Sequence, residues 1–389
     1  MTWQTKKLSE LCDIEIGRTP SRNNLEYWNG DLKWVSISDM KDKYITDTKE
    51  CITEKGAKES NCKVVPKNTL LMSFKLSIGK LAFTTEPVYT NEAIASLKIK
   101  DDNVITNEYL YYVLQTIDLT VGSDKAVKGL TLNKAKLNEL KIPYPSKEEQ
   151  DKIVTILDKA DEIRAKKKLA NDKLDEFLKS TFISMFGDPE TNEHNYDVKL
   201  LQDICTDIVD CPHSTPKKVE YKTNYPCIRT SELKRGYISW ESMQYLDEDE
   251  YNIRVARLTP MANDIVYARE GTYGNAVILP TGYNFSLGQR TMLFRANTQI
   301  VTPLFLLHFI LSDYTYKQAK NKNNGSTVGH VNVADIKKFK INIPPLEQQN
   351  KFAKIVEHVE AQKQKNELVL EQMNNLFNSL SQRAFKGEI

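Results

Sequence analysis

Residues 145 to 186 return as residues 344 to 385 at one fixed offset of 199, so the chain carries two copies of one unit, each ending in a long segment. Pro145, Glu148, Gln150 and Ile153 reappear as Pro344, Glu347, Gln349 and Phe352, and Leu174, Phe177, Ser180 and Phe186 as Met373, Leu376, Ser379 and Phe385. Internal repetition on this scale limits the possible folds more than any local propensity does. Upstream the repeat is looser. Leu8-Ser9-Glu10-Leu11-Cys12 answers to Leu201-Gln202-Asp203-Ile204-Cys205, and Trp34 to Met40 answers to Cys227 to Leu233, both at an offset of 193. Asn68 to Leu71 with Gly79 matches Asn263 to Val266 with Gly274, and Leu132, Asn133 and Leu137 match Val331, Asn332 and Ile336. The drift from 193 to 199 places small insertions in loops. Framework positions are kept while loops differ, the pattern of one scaffold carrying two different surfaces.

Within each copy the patterning predicts an α+β domain. Short apolar runs bounded by turn residues read as strands at 33 to 38, 69 to 74, 81 to 84 and 93 to 99, and again at 226 to 230, 264 to 268, 276 to 279 and 291 to 295. A shorter helix follows near 106 to 116 and near 302 to 319. Beyond Ser146 and Pro345, Glu-rich first turns suit the positive end of a helix dipole. Ile153, Ile156, Ala160, Ile163, Leu174 and Phe177 in the first copy, and Phe352, Ile355, Val359, Val369, Met373 and Leu376 in the second, fall on a stripe of 3,4 spacing that weakens at Lys167 and at Gln362 and Asn366. Such a stripe is buried best by pairing the two helices as a coiled coil. The expected organisation is a first domain over 1–145, a central long helix over 146–187, a second domain over 188–344 and a C-terminal long helix over 345–389. Two similar units pairing like a symmetric dimer are related by a pseudo-two-fold axis, across which equivalent helices run antiparallel.

Composition narrows the class further. No run of 18 apolar residues is present and Met1 to Glu10 lacks an apolar signal core, which predicts a soluble, cytoplasmic protein. The six cysteines include no CxxC pair and read as structural. A formal charge of +2 by itself says nothing about nucleic acid. Its distribution says more, because lysines cluster just ahead of each long helix: Lys125, Lys128, Lys134 and Lys136 in the first copy, and Lys317, Lys320, Lys322, Lys337, Lys338 and Lys340 in the second.

The segments Ile142-Pro143-Tyr144-Pro145-Ser146-Lys147-Glu148-Glu149-Gln150 and Ile341-Asn342-Ile343-Pro344-Pro345-Leu346-Glu347-Gln348-Gln349, each opening a long helix, carry a specific resemblance. The chain resembles the specificity subunits of type I restriction-modification enzymes over its whole length. Its first copy departs from the usual double proline and leucine by having Ser146-Lys147. The resemblance implies two target-recognition domains, each reading one half of a bipartite asymmetric DNA sequence, with the helices setting the unread spacer and docking methyltransferase subunits. At about 40 residues and 1.5 Å rise per residue, such a rod is roughly 60 Å long, one and a half to two turns of B-DNA. The resemblance also implies a non-catalytic chain. Its partners would be double-stranded DNA, two methyltransferase subunits and two restriction/translocase subunits. S-adenosylmethionine would bind in the methyltransferase, and ATP and Mg in the restriction subunit.

Absences in the sequence fit a chain that holds no reacting group. No Asn/Asp-Pro-Pro-Tyr/Phe segment is available to grip an extruded adenine, and Gly79-Lys80 lacks the upstream glycine of a phosphate loop. Asp210 with Glu232-Leu233-Lys234 has a nuclease-like spacing, but the repeat counterpart Asp39-Met40-Lys41 lacks the glutamate. Cys211-Pro212-His213 has no second ligand pair and does not make a metal site.

Base readout needs side chains that reach a groove from loops, with Arg or Lys favoured for guanine and Asn or Gln for adenine. On that basis the candidates in the first half are Arg18, Ser21, Arg22, Lys75, Lys125, Lys128 and Asn133. Those in the second half are His213, Lys217, Arg229, Arg269, Tyr273, Lys322, Asn323, Asn324 and His330. Arg269 aligns with Phe74 and Tyr273 with Ile78, so this glycine-containing loop differs between the copies. The expectation is that replacing Arg269 and Lys322 by Ala weakens one half-site and spares assembly. The competing class is a structural adaptor, a coiled coil bearing two peptide-binding domains.

Overall fold

The computed structural model spans the 389-residue chain and describes residues 3–119, 124–126, 129–321 and 330–385. The chain forms two compact units, Met1–Lys168 together with Leu368–Ile389, and Leu169–Glu367. The division falls inside the long helices, Lys147–Phe186 and Leu346–Phe385, so each unit owns one half of each helix.

In the first unit a five-stranded sheet runs in the order Cys12–Ile16, Ile94–Ile99, Leu70–Ser73, Leu81–Thr84, Tyr44–Ile45. Its first four strands pair antiparallel and the last pair is parallel. Burial explains the order. All four residues of Leu70–Ser73 are buried, as a central strand requires, whereas Cys12–Ile16 alternates buried with exposed and lies at an edge. A three-stranded sheet joins Glu50–Ile52, Trp28–Val35 and Tyr89–Thr90. The second unit repeats the plan with Cys205–Asp210, Thr291–Ala296, Ile265–Ala268 and Ala276–Ile278, and with Gln244–Tyr245, Pro226–Ile228 and Ser286–Leu287.

The shorter helices start on threonine caps. Thr106 Oγ1 accepts from the Tyr109 N–H at 3.1 Å and opens Asn107–Thr116, and Thr302 Oγ1 accepts from the Phe305 N–H at 3.4 Å and opens Pro303–Ile310. The expected single helix over 302 to 319 is two, the second being Asp313–Asn321. Each unit also has a strand pair that patterning did not predict, Gln4–Lys7 with Lys141–Tyr144 and Asp197–Leu200 with Lys340–Ile343.

The two repeated glutamines make the same joint in both units. Gln150 is fully buried; its amide donates to Val104 O (2.8 Å) and Pro145 O (3.1 Å) and its carbonyl accepts from the Thr106 N–H (3.2 Å). Gln349, also fully buried, donates to Ile300 O (3.1 Å) and Pro344 O (2.8 Å) and accepts from the Thr302 N–H (2.8 Å). Each side chain thereby satisfies three buried backbone groups and fixes the first turn of a long helix to the start of a short one.

Within each unit the helix halves pair antiparallel. In the second unit Phe182 and Phe186 meet Phe352 with ring centroids 5.4 and 5.5 Å apart, Asp175 accepts from Lys363 at 2.8 Å, and Asn171 accepts from Asn366 at 2.8 Å. In the first unit the Arg164 guanidinium lies 4.8 Å over Phe377, whose ring also packs 6.0 Å from Tyr112. The seam is rotated by one residue from the predicted stripe. Ile153, Ala160, Phe352 and Val359 are buried, but Ile156, Ile163, Phe177 and Leu376 are exposed, while Leu157, Leu178, Val356 and Phe377 are buried beside them. Leu174, Ile355, Val369 and Met373 are half-buried. The reason is that each half-helix covers the core of its own unit as well as its partner helix. That demands a broader face at 3.6-residue spacing than a two-helix seam at 3.5.

Candidate nucleic-acid interface

One connection lies at the centre of the loops at one end of each sheet. In the first unit it is Phe74–Lys80, between Leu70–Ser73 and Leu81–Thr84; in the second it is Arg269–Asn275, between Ile265–Ala268 and Ala276–Ile278. Both close by a backbone bond from glycine, Gly79 N–H to Ser73 O (2.9 Å) and Gly274 N–H to Ala268 O (3.2 Å). Both are braced on two sides. The Phe74 N–H donates to Ala93 O and the Leu132 N–H to Phe74 O, each at 3.0 Å; the Arg269 N–H donates to Arg290 O and the Val331 N–H to Arg269 O, each also at 3.0 Å. A third loop joins in each unit, through Lys80 Nζ to Ile37 O (3.3 Å) and through Thr272 Oγ1 to Thr230 O (3.3 Å). Three loops distant in sequence are thus held around one hairpin, two of them by backbone bonds that do not depend on side-chain identity at the tip.

The side chains at equivalent positions differ. Phe74, Leu76, Ile78 and Ala93 stand where the second unit has Arg269, Gly271, Tyr273 and Arg290. In the first unit the Arg22 guanidinium sits 3.8 Å over Trp28 and 5.1 Å over Trp34 and is paired with Glu50, which raises its pKa through that hydrogen bond. Gly17 lets this loop pass close to the sheet, since a Cβ there would lie 2.2 Å from Thr90 O. Beside it a groove of about 790 Å³ runs along the edge strand, lined by Arg18, Lys63, Lys98 and Lys134 together with Asp13 and Glu15.

In the second unit charges form a chain of pairs. Asp210 accepts from Arg269 Nε at 2.9 Å and lies 3.4 Å from His213 Nε2. Glu270 accepts from Arg269 Nη1 at 2.9 Å and lies 3.2 Å from Arg290 Nε and 3.1 Å from His330 Nδ1. Tyr273 stacks on Tyr316 with ring centroids 5.3 Å apart and planes 2° from parallel.

Several predicted contacts are placed differently from a free loop side chain. Arg269 is 6% exposed and held by two carboxylates, so it builds the loop cluster instead of projecting from it. Arg229 donates from Nη2 to Glu232 at 2.6 Å. Burial pushes the Glu232 carboxyl up, but hydrogen bonds from Arg229, Ser231 and Ser242 outweigh it and hold the group below the ordinary glutamate range. The nuclease-like pair is therefore spoken for, Asp210 by Arg269 and Glu232 by Arg229. Asn133 caps Lys134–Asn138 by accepting from the Lys136 N–H at 2.9 Å. Arg18, Ser21, Arg22, His213 and Lys217 are exposed, and Lys75, Tyr273 and His330 are partly so. Lys125 lies on the strand Asp124–Ala126, and Lys128, Lys322, Asn323 and Asn324 fall outside the described residues. Patterning missed Leu76, Arg290 and the groove lysines Lys63 and Lys98. The one signal that could have singled out Arg290 is its place after Gly288-Gln289 at a strand start.

Comparison with known proteins adds a family. The model for the type I restriction modification DNA specificity domain matches residues 1–173 and again 193–371. The specificity subunit of the type I restriction enzyme MjaIX from Methanocaldococcus jannaschii is 28% identical over 385 residues, 91% of this chain and 86% of that one. The HindI specificity subunit of Haemophilus influenzae is 32% identical over 166 residues, 40% of this chain and 36% of that one. Among solved structures, the S subunit of a type I restriction-modification system from M. genitalium superposes with a TM-score of 0.55 at 14% identity, covering 98% of this chain and 96% of that one. Among the described residues no helix is long and apolar enough to cross a membrane.

Proposed function

The chain belongs to the type I restriction-modification specificity family, and from that premise we propose that its two units read the two halves of one bipartite, asymmetric DNA target. The observation that carries this reading is the pairing of an invariant frame with a variable tip. The glutamine joints, the capped short helices and the backbone braces of the hairpin are the same in both units, while the residues presented by the central hairpin differ. A protein needing two copies of one surface would have no use for that difference.

The 40-residue helices would set the length of unread DNA between the half-sites and dock methyltransferase subunits. The chain itself would supply no reacting group. S-adenosylmethionine would be bound by the methyltransferase partners, two per complex, and ATP and Mg by two restriction/translocase partners. The target would then carry a methylated adenine in each half. Comparing adenine methylation across the genome with and without this gene tests the reading. A motif of two blocks separated by a fixed gap, lost when the gene is removed, is the expected result; an unchanged methylation map would refute it.

A further inference from the structure

We propose that Leu76 is a target-reading side chain whose apolar tip lies against the 5-methyl group of a thymine, an inference that rests on the DNA-reading function above. Leu76 forms the crest of the Phe74–Lys80 connection, is 66% exposed and has φ +64. Both properties are unfavourable for a leucine. The left-handed backbone conformation crowds its Cβ against the carbonyl, which L residues in general avoid, and its isobutyl group stands largely in water. The second unit shows what the turn asks for by itself: Gly271 stands at the equivalent position with φ +69, and a Cβ there would have nothing within 4 Å. Room therefore exists for any residue, and glycine is the relaxed choice. A bulky residue kept in a strained conformation, without burial to offset it, points to a role outside the folded chain.

The surroundings indicate the kind of partner. Lys75 stands directly before the crest, and the exposed Lys80 closes the base of the hairpin with its Nζ on Ile37 O at 3.3 Å. Ser77 follows directly, so among the described residues of this connection Leu76 is the one exposed large apolar side chain, set beside cationic and polar neighbours and not in a broad apolar patch of the hairpin. Duplex DNA matches such a frame, with a phosphate for the Lys75 ammonium and base edges for the tip. Of the base edges facing the major groove, only thymine presents a methyl group.

The test uses the full-length chain. Duplexes bound by the wild type are first selected from a random pool, and each thymine on both strands of the selected target is then replaced singly by deoxyuridine. One position should cost the wild type about fourfold in affinity, the worth of one methyl-sized apolar contact. Leu76→Gly should melt no lower than the wild type, bind the thymine target about fourfold more weakly, and show no penalty from deoxyuridine at that position. A selected target with no deoxyuridine-sensitive position contradicts the assignment, as does a Leu76→Gly variant that keeps the wild-type penalty. The wild-type arm decides alone if the variant does not fold. Failure of the wild type to select any duplex would remove the DNA-reading function itself, and this inference with it.

Discussion

His308 stands in the second unit where Tyr112 stands in the first, six residues past the capping threonine in both. The Tyr112 hydroxyl donates to Asp158 (2.6 Å) and lies 3.0 Å from Asp161, on the central helix. His308 instead presents its ring edge-on to Phe352, centroids 5.1 Å apart, and burial, with Lys363 adding to it, pulls its pKa down to about 4. A depressed imidazole binds fewer protons folded than unfolded, so its contribution to stability is complete above the ordinary histidine pKa of about 6.5 and declines as pH falls from there toward 4. His308→Phe should flatten that part of the stability curve of the second unit, by about 2 kcal/mol once partial solvent access is allowed for. Denaturant titrations at pH 7 and pH 4.5 would show it, and equal slopes in both proteins would refute it. At the same scale, Gln349→Leu strands the Thr302 N–H and the carbonyls of Ile300 and Pro344 without partners. About 3 kcal/mol of destabilisation is expected, because buried polar groups left unpaired cost about 1–3 kcal/mol each.

The helix seam holds one polar layer in the second unit. Asn366, 3% exposed, donates to Asn171 at 2.8 Å and accepts from Gln362 at 3.3 Å. Asn171→Leu should destabilise by about 1–3 kcal/mol because it leaves a buried amide short of a partner. Asn171→Leu with Asn366→Leu should recover most of that loss, and a double-mutant cycle by chemical denaturation measures the coupling. Additive losses would mean the pair contributes nothing as a pair. Much at this scale was legible beforehand: the repeat marked two copies of one plan, and the runs at 81 to 84 and 291 to 295 are strands where expected. Other features were not. Gln4–Lys7 is exposed along its length, so no apolar alternation marked it as a strand. The helix face was misread by one position because 3,4 spacing fits both Ile156 and Leu157, and only the unit's own core decides between them. The site was less legible still. Arg269 reads as a loop cation until Asp210, 59 residues away, is seen holding it, and an apolar residue such as Leu76 reads as core until its exposure is known.

For the whole molecule, the formal charge of +2 means that any attraction to DNA comes from local clusters, among them Arg18, Lys98 and Lys134 along the groove, where Lys63 is paired with Glu15 at 2.6 Å. Binding should therefore weaken steeply with salt, since neutralising several phosphates releases counterions, and an adaptor for peptides would lack that slope. The central claim is that two unlike reading surfaces act on separate stretches of one duplex. The most direct measurement is selection from random duplexes by the full-length chain and by its Tyr273→Ala variant. The account predicts two conserved blocks with an unread gap for the wild type, and a variant in which only one block changes. A single continuous block, or a substitution that alters both blocks alike, would contradict it.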